Sequence, residues 1–310
     1  MTTTTTNTKR LVVVVGPTGS GKTDLAIALA QHYGAPIVST DSRQFYRGMP
    51  IGTAQPTAQQ LRAAEHHFIA SHDITQELSC GAYEVEALAL LDRLFEQHRT
   101  VIAVGGSGLY IKALCEGMDE LPQADPELRA ALAEQLREEG VAALAERLRT
   151  LDPLYYEQVD RSNPARVVRA LEVCLQTGRP FSELRLGRRR ERPFDIVKIG
   201  IEVPREELYE RINRRVDAMM AEGLEAEARA LYPYRHLNAL RTVGYRELFD
   251  FFEGRCSRDE AVEAIKRNTR RYAKRQMTWF RRDGEIRWFR RDDLEAMFRH
   301  VDFGLSLIYI

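Results

Sequence analysis

Five aliphatic residues, Leu11 to Val15, run without a break into Gly16-Pro17-Thr18-Gly19-Ser20-Gly21-Lys22-Thr23, and that octapeptide runs into the helix-like Asp24 to Gln31. An apolar run of strand length, followed by turn residues and then by helix formers, specifies a buried strand, a glycine loop and a helix in succession. Gly16, Gly21, Lys22 and Thr23 fit the spacing G-x-x-x-x-G-K-[ST]. In that pattern glycines let backbone N–H groups approach phosphate oxygens, the lysine adds charge, and the hydroxyl reaches Mg²⁺. A glycine turn without a ligand is the weaker reading, because the flanking strand and helix are the context the pattern needs.

The same strand-then-loop arrangement recurs. Pro36 to Thr40 ends at Asp41-Ser42, Val101 to Val104 ends at Gly105-Gly106-Ser107-Gly108, and Ile196 to Ile201 is a further buried strand candidate, with helical patterns between them. This alternation predicts an α/β fold, a P-loop NTPase-like parallel sheet core whose ligands bind beyond the carboxyl ends of the strands. From Glu120 to Leu175 the pattern turns wholly helical, with Leu132, Leu136, Leu144, Leu148 and Leu171 at core-like spacings. We therefore expect a core of residues 10–117 and 194–310, an inserted helical subdomain at 118–193, and a low-complexity disordered arm at 1–9.

With 310 residues, 44% hydrophobic and 29% charged, the chain has material for such a core and is neither disordered nor collagen-like. Its longest unbroken apolar run, Leu25 to Ala30, falls far short of the ~20 residues that cross a bilayer, and the N-terminus lacks a signal-peptide core. A cytoplasmic protein with no membrane partner is expected. Cys80, Cys115, Cys174 and Cys256 fit neither a zinc pattern nor a disulfide framework and read as reduced thiols.

Forty-five basic and 45 acidic residues cancel, but they are unevenly placed. Lys266 to Arg291 carries a net +9 and Arg161 to Arg192 a net +6, which points to a polyanion-binding face on an otherwise acidic body. Within the first stretch Arg267, Arg270, Arg271, Lys274 and Arg275 follow i, i+3, i+4, i+7, i+8 and so share one face of a helix expected from Arg258 to about Arg282. Such a face suits a phosphate backbone; a merely solvated face normally mixes signs. Tyr272, Trp279, Phe280, Trp288 and Phe289 are interleaved with these charges and could stack bases, although for each of them a core role is the plainer reading. The pentapeptide Trp-Phe-Arg-Arg-Asp occurs at 279 and again at 288.

Most phosphate-loop NTPases end an apolar strand in the Asp that holds Mg²⁺. Here Val104 is followed by Gly105-Gly106, which leaves Asp41 as the acidic group best placed near the phosphates, free to act on substrate; the alternative for Asp41 is a helix cap or turn. Glu65, His66, His67, His72 and Asp73 form the chain's His cluster, but adjacent histidines point apart, and we expect no metal there.

These features together resemble the tRNA dimethylallyltransferases, or tRNA isopentenyltransferases. The resemblance covers Gly16 to Thr23, Asp41 to Tyr46, Ile51-Gly52-Thr53-Ala54, Gly105 to Tyr110, Leu121-Pro122, Arg166 to Glu172, Arg211 to Met219, Val243-Gly244-Tyr245-Arg246 and Lys274 to Arg281. It implies transfer of a dimethylallyl group from its diphosphate to N6 of adenine 37, beside the anticodon, with release of diphosphate. Carried over by motif, Gly16, Pro17, Thr18, Gly19, Ser20, Gly21, Lys22 and Thr23 hold the donor diphosphate, Thr23 binds Mg²⁺, Arg215 clamps the diphosphate, and Asp41 is the general base.

The implied partner is the tRNA anticodon stem-loop. The resemblance assigns to it Asp41, Ser42, Arg43 and Gln44; Ser107 and Arg129; Ala165, Arg166, Val167, Val168 and Arg169; Arg241, Thr242, Val243, Gly244, Tyr245 and Arg246; and Lys274, Arg275, Gln276 and Arg281. Ser107 stands where Thr is usual and keeps the hydroxyl, whereas Ala165 replaces a usual Gln and lacks its amide. The chemistry agrees: an exocyclic adenine amine is a poor nucleophile, so a carboxylate must take its proton, and departing diphosphate builds charge that Mg²⁺, Lys22, Arg215 and loop N–H groups would stabilise. Competing classes are a small-molecule P-loop kinase and a nucleic-acid-binding NTPase without group transfer.

Overall fold

The computed structural model describes residues 9–303, so the arm expected at 1–9 lies, apart from Lys9, outside the described residues. Strands β1 (Arg10–Val15), β2 (Ile37–Ser39), β3 (His66–His67), β4 (Thr100–Gly105), β5 (Asp195–Glu202) and β6 (Arg287–Arg290) form one sheet in the order β3-β2-β4-β1-β5-β6. Every pairing in it is parallel, as the alternation of strands and helices predicts.

β1 is buried on both faces, which is why it reads as a continuous apolar run. Leu11, Val13 and Val15 pack in one layer with Tyr83, Ala87 and Leu91 of helix Cys80–Gln97; Val12 and Val14 pack in the other with Leu25 and Leu29 of helix Lys22–Tyr33. Each such side chain taken out of water is worth roughly 1.5–3 kcal/mol. Register then places the site: Val15 lies beside Gly105 and Gly200, and Ser39 beside Val104, so Gly16, Thr40 and Gly106 leave the sheet at one level.

Two edge strands escape the sequence pattern. β3 has two residues, too few for any period. β6 takes the second Trp-Phe-Arg-Arg-Asp copy, so Trp288 packs against one layer and Phe289 against the other. This overturns base stacking for both rings. The first copy ends helix Arg258–Phe280, where Phe280 is buried in the core and Trp279 is exposed. Buried Lys198 of β5 donates to Asp283 (2.7 Å) and Glu285 (2.9 Å), fixing the turn that joins the two copies.

The chain divides into two compact units, one comprising Met1–Cys115 and Glu191–Ile310, the other Glu116–Arg190. The second is all helix. Its long element Pro126–Leu151 is broken at Gly140, whose φ of 79° lies in the left-handed region, and its core gathers Leu132, Leu144, Leu148 and Leu171. Asp125, Asp152 and Asn163 cap its helices through side-chain oxygens.

Candidate active site

The phosphate loop turns directly into helix Lys22–Tyr33, with Gly21 as N-cap at φ 91°. A side chain there would be strained, and a Cβ would stand 2.8 Å from Arg291 Nε. The loop is folded on itself: Ser20 N donates to Pro17 O at 3.2 Å, and Lys22 Nζ donates to the same oxygen at 2.8 Å.

Above the strand ends opens a cavity of about 400 Å³. Thr18, Lys22 and Thr23 line it from the loop, Asp41 to Gln44 from the end of β2, Arg215 from helix Arg205–Glu222, and Arg241 to Gly244 with Arg246 from a later loop. Asp41 is the one carboxylate among its described lining residues, against the six cations Lys22, Arg43, Arg215, Arg241, Arg246 and Arg275. Burial is the main cause that brings the Lys22 ammonium down to about 8; nearby Asp41 opposes it and Arg215 adds to it. Burial also lowers Arg215, with Asp41 pulling it back. Arg215 Nη1 reaches Thr18 Oγ1 at 3.4 Å. Tyr272, which also lines the cavity, is pushed up to about 12, chiefly by burial and then by Asp41.

Asp41 serves as a turn residue too: its Oδ1 accepts Arg43 N at 3.0 Å, and its own N–H donates to Ser39 Oγ at 3.2 Å. The turn reading of Asp41 holds, and the same turn places its carboxylate in the cavity lining. Around it, Ser42 N and Ser107 Oγ lie 3.0 Å apart. Arg43 Nη1 donates to Asn238 O (2.7 Å) and Ala239 O (3.2 Å), and Gln44 Nε2 donates to Ala54 O at 2.8 Å. Ala54 holds a left-handed φ of 49°, a strain that this bond fixes in place.

Several residues assigned to RNA do other work. Tyr245 is wholly buried and gives its hydroxyl to Glu227 at 2.7 Å, so its side chain is a wall support and not a contact. Val167 is wholly buried in the helical unit's core, so it offers no side chain to RNA, and Val168 packs against that core. Arg129 and Arg169 both hold the buried Glu172, at 3.2 Å and 2.7 Å, while Arg169 also donates to Pro122 O; Ala165 and Arg166 are exposed on the same unit. Gln276 is buried between the phosphate loop and the end of β4. On the basic helix, Arg267, Arg271, Lys274 and Arg275 are exposed. Arg270 instead donates to Asn213 at 2.6 Å and lies over Tyr209, so it belongs to a helix–helix contact and not to the open face. Lys274 and Arg281 border a second cavity, of about 930 Å³, and Arg281 faces Glu202 at 3.5 Å.

Two features were missed. Ile212, Val216 and Met219, with Leu224 and Ile265, give the cavity an apolar wall; their i, i+4, i+7 spacing around Arg215 was the available signal. Glu227 accepts Ile51 N (2.9 Å), Gly52 N (2.8 Å) and the Tyr245 hydroxyl, holding the loop beside Thr53; a single Glu in an acidic helix carries no signal of that. His66 and His67, by contrast, are spent as β3, and no group of three or more His, Cys, Asp or Glu that could hold a metal occurs among the described residues.

The IPP transferase family model matches residues 44–283. The chain is 49% identical over 291 residues to tRNA dimethylallyltransferase 2 of Parabacteroides distasonis, covering 94% of this chain and 97% of that one. It is 50% identical over 277 residues to tRNA dimethylallyltransferase of Christiangramia forsetii, covering 89% and 92%. Among solved structures, the full-length tRNA isopentenylpyrophosphate transferase of Bacillus halodurans superposes with a TM-score of 0.70 at 36% identity over 96% of this chain and 97% of that one. A eukaryotic dimethylallyltransferase solved acting on tRNA superposes with a TM-score of 0.80 over 97% and 79%; at 24% identity that likeness is one of fold. A phosphate loop, a lone carboxylate and an apolar wall around one cationic cavity are thus built on a sequence that belongs to the IPP transferase family.

Proposed function

We propose that this cavity transfers a dimethylallyl group from dimethylallyl diphosphate to N6 of adenine 37 in tRNA; its relatives are named tRNA dimethylallyltransferases. The observation that supports this reading is the lining itself: six cations for two polyanions, one carboxylate for one proton, and an apolar wall for a five-carbon chain. In the step, the C1–O bond of the donor breaks and its electron pair leaves with diphosphate, a C1–N6 bond forms, and the N6 proton passes to the Asp41 carboxylate. Lys22 and Arg215 meet the charge that grows on the leaving oxygens, in a buried setting where such contacts are strong.

The Thr23 hydroxyl lines the cavity beside the loop. With donor phosphate oxygens it offers the hard oxygen set that Mg²⁺ prefers. Bound there, Mg²⁺ supplies further charge neutralisation on diphosphate. Arg166 and the exposed cations of the basic helix are the residues we assign to the anticodon stem-loop. No helix of the described residues is long and apolar enough to cross a membrane, and a tRNA acceptor fits a cytoplasmic protein.

The test incubates the protein with dimethylallyl diphosphate and unmodified tRNA, and in parallel with ATP and small alcohols. Prenylated adenine in the first mixture alone is expected. Phosphorylated alcohol in the second would replace this reading with a kinase.

A further inference from the structure

Gln276 lies on the basic helix between Arg275 and Met277, yet its side chain is 5% exposed. Its Oε1 accepts the Thr18 N–H at 2.8 Å and its Nε2 donates to Gly106 O at 2.9 Å, so both ends of the amide are spent on backbone. The two partners sit just past the ends of the neighbouring strands β1 and β4. The amide fills the place a side chain at 106 would take, since a Cβ on Gly106 would stand 2.2 Å from Gln276 Nε2.

The Thr18 N–H shares a peptide plane with the Pro17 carbonyl, and that carbonyl accepts Lys22 Nζ at 2.8 Å. In a planar trans peptide, fixing the N–H fixes the direction of the C=O. Gln276 therefore sets the oxygen on which the loop's ammonium is seated. Arg215 holds the same residue from its side chain, through Thr18 Oγ1.

We propose that Gln276 is a positioning residue of the donor loop, aiming the Pro17–Thr18 peptide so that Lys22 faces the diphosphate, and is not a contact to RNA. The proposal rests on the donor reading of that loop. One helix then serves two substrates at adjacent positions: the exposed Lys274 and Arg275 are open to the polyanion, and the buried Gln276 serves the donor.

Two variants approach the same bond from opposite ends. Gln276→Met keeps the volume and loses both hydrogen bonds; Gly106→Ala leaves Gln276 in the sequence but pushes its amide aside. Pyrophosphate affinity, tRNA affinity, and the kcat and donor KM of the transfer are measured for each, with melting temperature as the check on folding. Pyrophosphate Kd and donor KM should rise about tenfold in both, the scale of one lost buried hydrogen bond, and kcat should fall as well, because Lys22 also meets the charge that grows on the leaving oxygens, with tRNA Kd little changed. The double variant should be no weaker than the worse single one, because the two changes break one contact. Should Gln276→Met fail to fold, Gly106→Ala decides alone. An unchanged pyrophosphate Kd, or a tRNA Kd that rises in step with it, overturns the proposal. If the wild type prenylates no tRNA while the pyrophosphate pattern holds, the proposed function falls and the role of Gln276 stands.

Discussion

On the phosphate-loop wall of the cavity, Lys22 and Arg215 are half-buried cations whose protein hydrogen bonds go to single oxygens, Pro17 O at 2.8 Å and Thr18 Oγ1 at 3.4 Å. On the wall built from the ends of β2 and β4, Arg43 and Gln44 spend theirs on backbone carbonyls of other loops, and Ser42 pairs with Ser107. The difference separates two kinds of site residue. A partly buried cation with donors to spare carries a desolvation cost that an anionic ligand offsets. A side chain tied to neighbouring backbone, as Arg43 is through Nη1 and Gln44 through its amide, fixes in addition the shape of the loop that meets it.

The largest effect should come from the group that stands between the two walls. Asp41→Asn keeps an oxygen to accept Arg43 N, so the turn survives while the proton acceptor is lost. Turnover is expected to fall by ~10² or more with pyrophosphate and tRNA affinities retained. Full activity, or equal loss of binding, would leave Asp41 as a turn residue alone.

The next pair of variants sets wall against wall. Arg215→Ala should weaken pyrophosphate binding by about 10- to 100-fold, the range for a hydrogen bond to a charged group, and leave tRNA affinity alone. Arg43→Ala should do the reverse, raising the KM for tRNA as the loop at Asn238 and Ala239 loosens, with pyrophosphate affinity unchanged. Calorimetry with pyrophosphate on both variants decides, and a donor defect in Arg43→Ala would erase the distinction between the walls.

The same contrast explains how far the sequence could be read. The phosphate loop and β1 are visible because local rules govern them: a buried parallel strand must be apolar throughout, and a phosphate cradle must have glycines at fixed offsets. The two copies of Trp-Phe-Arg-Arg-Asp mark where local rules stop, since one ends a helix and the other is an edge strand. Five identical residues carry the same propensity in both places; the choice is made by the Lys198 clamp on Asp283 and Glu285 and by pairing with β5, neither of which is local. Arg270 fails in the same manner. Helical periodicity gives the angle at which a side chain leaves the axis, not what stands opposite, and opposite Arg270 stands Asn213.

The place of Arg270 in a helix–helix contact decides which variants a salt titration should compare. Arg271 and Lys274 are two of the exposed cations that this helix offers a phosphate backbone, so Arg271→Ala with Lys274→Ala should reduce the log–log salt slope of tRNA binding by about 1.5, or about eightfold in affinity between roughly 50 and 200 mM salt. Arg270→Ala should leave the slope nearly unchanged and lower the melting temperature instead, through the lost bond to Asn213. A slope that responds to Arg270 as strongly as to Arg271 would return Arg270 to the RNA face.

The smallest effect tests the spare capacity of the donor wall by pH. Lys22 has its ammonium brought from 10.5 down to about 8 in the folded chain, chiefly by burial. Between those values the unfolded chain binds the proton more tightly than the folded one, so Lys22 makes stability rise with pH from about 8 to 10.5. Donor binding has the opposite sign, because diphosphate needs the charged form. With a free-enzyme value of about 8, the charged fraction falls about threefold from pH ~7.5 to ~8.5, and pyrophosphate affinity should fall with it. Lys22→Arg holds its charge throughout that range and should remove this component, leaving only the shallow dependence of pyrophosphate's own ionisation. Calorimetric titrations at several pH values on both proteins make the comparison. Identical profiles would mean that Lys22 is already neutral, or already paired, before the donor arrives, and the loop wall would then be as satisfied as the wall that faces the acceptor.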